Sequence, residues 1–135
     1  MKDTHILKIL KLTILHCDKP ERSGRIYPVK LVKKAIKEDK VLQERLVNNC
    51  LFGDMFRNDI DEVDMQEVAF AVKKLYWYKK ELRAVIDILD TPNGRVLAQC
   101  PTAIRGSVLG SGEVDFTTNT VTDYKVEKFC ITWDL

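Results

Sequence analysis

Histidine is scarce in this sequence, and its cysteines follow no metal-binding pattern. The 135 residues include two histidines and four cysteines, and no two cysteines form a CxxC unit. Zinc sites in proteins are built from closely spaced Cys and His ligands, so the sequence predicts no metal site and no cofactor. Both histidines, His5 and His16, precede the first predicted helix.

The start of the chain also lacks the features of an export signal. The segment MKDTHILKILKL interrupts its apolar residues with Lys8 and Lys11, and no small-residue cleavage site follows. Four cysteines can form two disulfides in a secreted domain, but thiols stay reduced in the cytoplasm. We therefore expect reduced and mostly buried thiols at Cys17, Cys50, Cys100 and Cys130.

Charge of one sign does not accumulate anywhere in the chain. The 22 Lys and Arg residues are interspersed with 20 Asp and Glu residues, for a net charge of +2. Proteins that bind nucleic acid usually carry a concentrated basic patch, so no specific nucleic-acid partner is predicted. No apolar run approaches the ~20 residues that cross a bilayer, and no membrane partner is predicted either.

The strongest local pattern begins at residue 68, with the sequence VAFAVKKLYWY. Val68, Phe70 and Val72 fall on one side of an extended chain, and the apolar alternation continues in a changed phase at Leu75 and Trp77. Alternation with period two, in β-branched and aromatic residues, is typical of a half-buried strand. This segment is therefore predicted to be a strand with an irregularity near its middle.

A second strand is predicted directly after it. Residues 82–88 alternate apolar and polar side chains, and residues 78–81 form a polar connection between the two strands. Residues 90–94, DTPNG, are predicted to end the second strand in a turn, since Pro cannot donate to a ladder and Asn-Gly accepts positive φ. A hairpin this apolar must be covered by the rest of the chain.

The segments before the hairpin combine strands and helices. Residues 6–15 fit either type, and the alternation of Leu10, Leu12 and Ile14 favours a strand. A helix is predicted from Pro28 as its first residue, and the helical pattern resumes over residues 41–47. A short apolar run, LFGDMF, is predicted to be a strand and the acidic stretch RNDIDEVD a solvated loop without the spacing of a calcium site.

The segments after the hairpin are mainly extended. Residues 95–99 predict a short helix, and the glycine-rich residues 106–114 predict a kinked strand or tight loop, since no Lys-Ser/Thr follows as a phosphate loop requires. Two strand-like runs end the chain, over residues 124–126 and 129–133. We predict one α+β domain, residues 1–135, with a small, mostly antiparallel, barrel-like sheet flanked by a few helices.

This order of motifs resembles the prohead (capsid-maturation) proteases of tailed phages, relatives of the herpesvirus assemblins. KPERSGRIYP resembles the family's NRNGRIYP box, and EVAFAVKKLYW followed by ILDTPNGRVL resembles its histidine strand, hairpin and LDTPxG turn. LFGDMFRND, GSVLGSGEV and the closing VTDYKVEKFCITWDL stand where the family has a first histidine segment, the nucleophile strand and the final strands. The resemblance covers nearly the whole chain and implies an assemblin-like fold.

The catalytic positions implied by the resemblance are not retained. The family cuts peptide bonds with a serine that a histidine activates, because a hydroxyl is a poor nucleophile until a base takes its proton. The two histidine positions are occupied here by Arg57 and Phe70. Ser107 is a weak candidate nucleophile, with Leu109 at that position in an ungapped count. Asp54 or a lysine near Ser107 is a conceivable substitute base, since Ser–Lys pairs exist, but no lysine lies in the apolar run around Phe70.

The resemblance therefore predicts a catalytically inactive protein that acts as a structural or assembly component of a phage virion. Its partners would be capsid, portal, scaffold or tail proteins, with a homo-oligomer expected, in the virion or the host cytoplasm. The alternatives are a diverged active serine protease and an inactive regulatory partner of one. Candidate interface residues are aromatic, since Tyr and Trp are enriched at interfaces: Tyr76, Trp77, Tyr78 and Trp133.

Overall fold

A computed structural model describes residues 6–55 and 67–133 of the chain. The described elements are, in order, β1 (Ile6–His16), α1 (Val29–Glu38), α2 (Lys40–Val47), β2 (Phe52–Met55), β3 (Val68–Tyr78), β4 (Glu81–Leu89), α3 (Pro92–Gln99), β5 (Ile104–Asp115) and β6 (Thr120–Trp133). None of these helices has the length and apolar character needed to span a membrane. The predicted α+β class is confirmed.

The six strands form one sheet in the order β1-β4-β3-β2-β6-β5. Neighbouring strands are antiparallel except β2 and β6, which run parallel. The expectation of a mostly antiparallel sheet is therefore only partly right, since the sheet is mixed. The parallel pair arises because the short strand β2 is inserted between β3 and the last strand of the chain.

The sheet curls into half a barrel, which brings its two edge strands together. A Cβ atom placed on Gly106 of β5 would lie 2.6 Å from Ile14 Cδ1 and 3.3 Å from the carbonyl oxygen of Thr13, both in β1. The edges approach this closely without pairing as strands in the part of the chain that the structure describes. The barrel-like expectation is met only as a curled, open sheet.

The predicted hairpin is present as β3 and β4. The change of phase between Val72 and Leu75 corresponds to a register shift between Val72 and Lys74, where one extra residue in β3 reverses the alternation. Concave-side residues of both strands are almost completely buried. Val32 and Ile36 of helix α1, which are 0% and 7% exposed, belong to the same core cluster.

The DTPNG segment begins a helix and does not form a separate turn. Thr91 is the N-cap of α3 and Pro92 occupies the first turn, where a missing N–H costs nothing. Gly94 is not among the residues with positive φ; it is helical, and a Cβ there would lie 1.8 Å from the carbonyl oxygen of Leu89. The predicted Asn-Gly turn is wrong because the segment is needed as a helix start packed on β4. Pro28 is likewise the N-cap of α1 and lies before its first helical residue.

Thr91 joins two elements, and its replacement tests this junction. Its hydroxyl donates to the carbonyl oxygen of Val68 at 2.6 Å and accepts from the backbone N–H of Gly94 at 3.0 Å. We expect Thr91→Ala to lower the free energy of unfolding by about 2 kcal/mol, because a helix cap and a buried hydrogen bond are lost together. Urea denaturation measures it, with Thr91→Ser as the control that keeps both bonds. Equal losses in the two variants would contradict this role of the hydroxyl.

The end of the chain forms one long hairpin. The glycine-rich segment is part of β5, with a register shift between Leu109 and Gly110, so the kinked-strand prediction is confirmed. On the other side of that shift Glu127 is the extra residue in β6, because Leu109 pairs with Lys128 and Gly110 with Val126. The two strand-like runs predicted at the end are thus one strand, β6, interrupted by a bulge.

Candidate functional site

Ser107, the candidate nucleophile, lies in the first third of β5 and is half-buried. It pairs with Cys130 of β6, which pairs with Asp54 of β2. Residues that face each other across neighbouring strands project to the same side of a sheet, so these three side chains share the convex side. A side-chain hydrogen bond joins Ser107 and Cys130. We call Asp54, Ser107, Lys128 and Cys130 the polar row.

Phe70, at a histidine position of the family, projects to the opposite side. It pairs with Gly53, which pairs with Phe129, which pairs with Val108. Gly53, Phe129 and Val108 are the chain neighbours of Asp54, Cys130 and Ser107. Because successive residues of a strand project to opposite sides, Phe70 and its paired residues face the concave core. The ring of Phe70 is 1% exposed and lies across Gly53, where a Cβ would come within 2.1 Å of it. An imidazole at position 70 would thus face the core, away from Ser107.

The polar row contains a buried ion pair that sequence reasoning missed. Lys128 Nζ lies 3.1 Å from Asp54 Oδ1, and both side chains are fully buried. Lys128 is in the same face of β6 as Cys130 and diagonal to Ser107. A buried lysine therefore does lie near Ser107, although none was visible in the sequence around Phe70. Its ammonium group is held by a carboxylate, which is the arrangement that buried charges require.

The cysteine of the polar row is a weak proton acceptor. Burial raises the pKa of the Cys130 thiol to about 11, against the smaller lowering effects of the Lys128 charge and of the hydrogen bond with Ser107. The thiol is protonated at neutral pH and cannot act as a base toward Ser107. Nucleophilic catalysis by a hydroxyl requires such a base within hydrogen-bond reach.

The remaining imidazole in the described ranges, His16, is engaged elsewhere. Its Nε2 lies 3.8 Å from Glu81 Oε2 at the end of β1. His16 does line a small cleft together with Arg105 and Gly106, at the seam where β1 approaches β5. Within residues 6–55 and 67–133, however, no hydrogen bond joins His16 to Ser107. Arg57, at the family's first histidine position, lies outside the described residues.

The candidate interface residues divide between the two sides of the hairpin. Trp77 packs against the core, with Lys33 Nζ of α1 5.2 Å from its ring centre. Tyr76 and Tyr78 lie on the convex side, and Tyr78 is 48% exposed. The side chain of Trp133 is outside what the structure describes. Of the four candidates, the two tyrosines therefore present a surface.

Cationic groups cover this surface. The Arg83 guanidinium lies 4.3 Å from the ring centre of Tyr78 and donates two hydrogen bonds to Glu81 Oε1, at 2.8 and 3.0 Å. These bonds hold the pKa of Glu81 below its usual value. Lys74 and Lys79 lie over the tyrosine rings at 5.9 and 5.4 Å. The arrangement is an aromatic patch with fixed positive charge, defined here as the hairpin patch.

All four cysteines are free thiols, two of them buried. We expect iodoacetamide to modify the exposed Cys50 and Cys100 in the folded protein and to spare Cys17 and Cys130 until the protein is denatured. Peptide mass spectrometry with and without urea measures this. Equal modification of all four in the native protein would contradict their burial.

The buried thiols also predict loss of stability in alkali. Burial raises the pKa of Cys17 from 9.0 to about 12. The folded state therefore favours the neutral thiol, and this contribution to stability is complete below pH 9 and is lost as the pH rises toward 12. Alanine at position 17 should flatten that part of the stability profile.

The described residues contain no group of three or more His, Cys, Asp or Glu side chains that could hold a metal ion. No protein-family model matches the chain, and no curated protein matches it. Its fold is similar to that of the bacteriophage T4 capsid assembly protease, gp21, with a TM-score of 0.75 at 16% sequence identity, over 93% of this chain and 81% of that chain. This likeness supports the predicted prohead-protease-like fold.

Proposed function

We propose that this protein is a catalytically inactive relative of the phage prohead proteases that acts as a structural or assembly component of the virion. A capsid-related role is supported by the fold it shares with the T4 capsid assembly protease. Loss of catalysis is supported by the surroundings of Ser107. Its partners would be capsid, portal, scaffold or tail proteins, in the virion or in the host cytoplasm during assembly.

The observation that carries the proposal is the partner of Ser107: its side chain is bonded to the Cys130 thiol, and no imidazole is bonded to it within residues 6–55 and 67–133. The thiol of Cys130 is protonated at neutral pH, and Phe70 faces the core. Without a base the hydroxyl keeps its proton, and loss of the base alone lowers acyl transfer by several orders of magnitude. The fold is thus retained, whereas the thiol bonded to Ser107 is unable to take the proton of its hydroxyl.

One observation favours a second candidate, a diverged active protease. Lys128 is buried on the same face as Ser107, and Ser–Lys pairs catalyse acyl transfer in other folds. A catalytic lysine must be free to accept a proton, whereas Lys128 Nζ is engaged in an ion pair with Asp54 Oδ1, 3.1 Å away. The ion pair therefore favours the catalytically inactive protein over the active protease.

A fluorophosphonate probe separates the two candidates. We expect no labelling of Ser107 in the folded protein under conditions that label an authentic serine hydrolase to completion. Ser107→Ala is the matched control, and its signal should equal that of the unmodified protein. Labelling that disappears in Ser107→Ala would establish the active protease and overturn the proposal.

The hairpin patch is the surface that we propose for contact with another virion protein. We expect the double variant Tyr76→Ser/Tyr78→Ser to fold normally, and its incorporation into particles to fall by about tenfold or more, because exposed tyrosines contribute strongly to interfaces. Phe116→Ser is the control, since Phe116 is an exposed aromatic residue (76%) in the turn after β5. Quantitative immunoblots of particles from cells complemented with each variant measure incorporation. Equal incorporation of both variants would exclude the hairpin patch.

A further inference from the structure

The small cleft at the seam between β1 and β5 is a second site on the molecule, here called the seam cleft. Its volume is about 230 Å³, which suits a small chemical group better than a drug-sized molecule. Thr13 and Ile14 of β1 and Arg105 and Gly106 of β5 line it, and residues 19–22 complete the lining from the loop after β1. The cleft exists because these two edge strands approach each other without pairing.

The loop that completes the lining is held in a defined geometry. The N–H of Glu21 donates to the carbonyl oxygen of Arg25 at 2.9 Å, which closes a turn. The Glu21 carboxylate also accepts from the backbone N–H of His16, the last residue of β1. The loop is therefore tied both to itself and to β1, so little ordering is required when a ligand binds.

The lining of the seam cleft is positively charged. Lys or Arg occupies positions 19, 22 and 105, and Glu21 is the acidic residue of the lining. Three cations against one carboxylate leave a net charge of +2 with His16 neutral. The carboxylate of Glu81, next to the cleft, accepts from Thr13 and Arg83 and is thus engaged elsewhere. This charge selects an anion as the occupant.

Arg105 lies in the cleft without a counter-charge. Its side chain is half-buried, and its Nε is buried without a hydrogen-bond partner. Within residues 6–55 and 67–133, no carboxylate forms an ion pair with it. Arg83, by contrast, donates to Glu81 through both Nε and Nη2. Because charged groups withdrawn from water are normally paired, the guanidinium of Arg105 is suited to an oxyanion from outside the chain.

We propose that the seam cleft binds an organic carboxylate, either of a free acid or of the chain end of a partner protein, with Arg105 as its main contact. The planar guanidinium matches the two oxygens of a carboxylate, and Lys19 adds a second positive charge. Ile14 and Pro20 make part of the lining apolar. The carbon chain next to a carboxylate can contact this part, whereas a phosphate group is polar on every side.

Four probes test the chemistry of the ligand: butyrate, inorganic phosphate, and N-acetyl-trialanine with either a free or an amidated carboxyl end. Titration of ¹⁵N-labelled protein should shift the amide signals of residues 13–16, 21–22 and 105–106 with butyrate or the free-carboxylate peptide, and not with the amidated peptide. Tighter binding of butyrate would identify a free acid and tighter binding of the peptide a chain end, and either result upholds the site. Equal shifts with the amidated peptide, tighter binding of phosphate, or no shift at these residues at millimolar ligand would each overturn the proposal.

Matched variants assign the binding to Arg105. Arg105→Met should raise the Kd by about tenfold or more, because a charge-assisted hydrogen bond is lost, whereas Arg25→Met, in the same region but outside the lining, should not. The urea midpoint of Arg105→Met should not fall, since Arg105 pairs with no carboxylate of the described chain. Equal effects of the two variants on the Kd, or a lower midpoint for Arg105→Met, would contradict its role as a ligand-binding residue.

Lys19→Glu tests the charge of the cleft without altering a half-buried residue. It should raise the Kd by about fivefold, since it turns an attraction into a repulsion, and an unchanged Kd would contradict the proposal. The binding does not depend on whether Ser107 is active. A protein that is labelled at Ser107 by fluorophosphonate and still binds the carboxylate through Arg105 would uphold the seam cleft and overturn only the proposed loss of catalysis.

Discussion

Lys128→Met is expected to lower the free energy of unfolding by about 3–5 kcal/mol, because it removes the cation from a fully buried ion pair. Lys128 Nζ lies 3.1 Å from Asp54 Oδ1, and the two residues tie β6 to β2. Methionine keeps most of the volume of the lysine stem, so the loss reflects removal of the Lys128 charge from beside the buried carboxylate of Asp54. Urea denaturation with linear extrapolation measures the change.

The double variant Asp54→Leu/Lys128→Met is the control. Replacing both charges with apolar side chains of similar size is often neutral or stabilising, so the double variant should recover most of the stability that Lys128→Met loses. A single variant as stable as the unmodified protein would show that the pair contributes little. A double variant less stable than the single one would show that Asp54 acts mainly through other contacts.

Phe70→His is the second change with a large expected effect. It places an imidazole where the phage proteases that the sequence resembles have histidine, and we expect it to destabilise the fold by about 3 kcal/mol or more, because a polar ring would replace a buried apolar one in the core. No gain in fluorophosphonate labelling of Ser107 is expected, since position 70 faces the concave core and Ser107 the convex side.

Phe70→Leu is the matched control, with an expected cost of about 1–2 kcal/mol, because an apolar side chain largely refills the site. Thermal unfolding and labelling are measured on all three proteins. A Phe70→His protein that is as stable as Phe70→Leu and is labelled at Ser107 would show that the two positions face each other. That result would contradict the pairing of β3 with β2, of β2 with β6 and of β6 with β5.

Much of the sheet was predictable because its residues alternate strictly. The hairpin of β3 and β4 follows from period two, and even its bulge near Lys73 was visible as a change of phase between Val72 and Leu75. The start of α3 was not predicted, since Asn93-Gly94 fits a turn equally well by local preference. Residue 94 lies so close to the carbonyl oxygen of Leu89 that only glycine fits there, and this packing favours the helix over the turn.

The candidate site was predictable only in part. Ser107 could be located on its strand, but its side of the sheet depends on pairing with Cys130 and thus on register between distant strands. Lys128 alternates with Phe129 and Ile131, which predicts that it faces away from the core but says nothing about burial there. Its partner Asp54 is 74 residues away, and no local pattern connects the two.

The proposed role in a virion is tested most directly by mass spectrometry of particles purified from the phage that is proposed to encode this chain. The account predicts the intact chain in the particle, at a copy number that matches a symmetric ring or shell of the capsid, portal or tail. Absence of the chain from particles whose capsid proteins have been cleaved, together with labelling of Ser107 in the isolated protein, would contradict it.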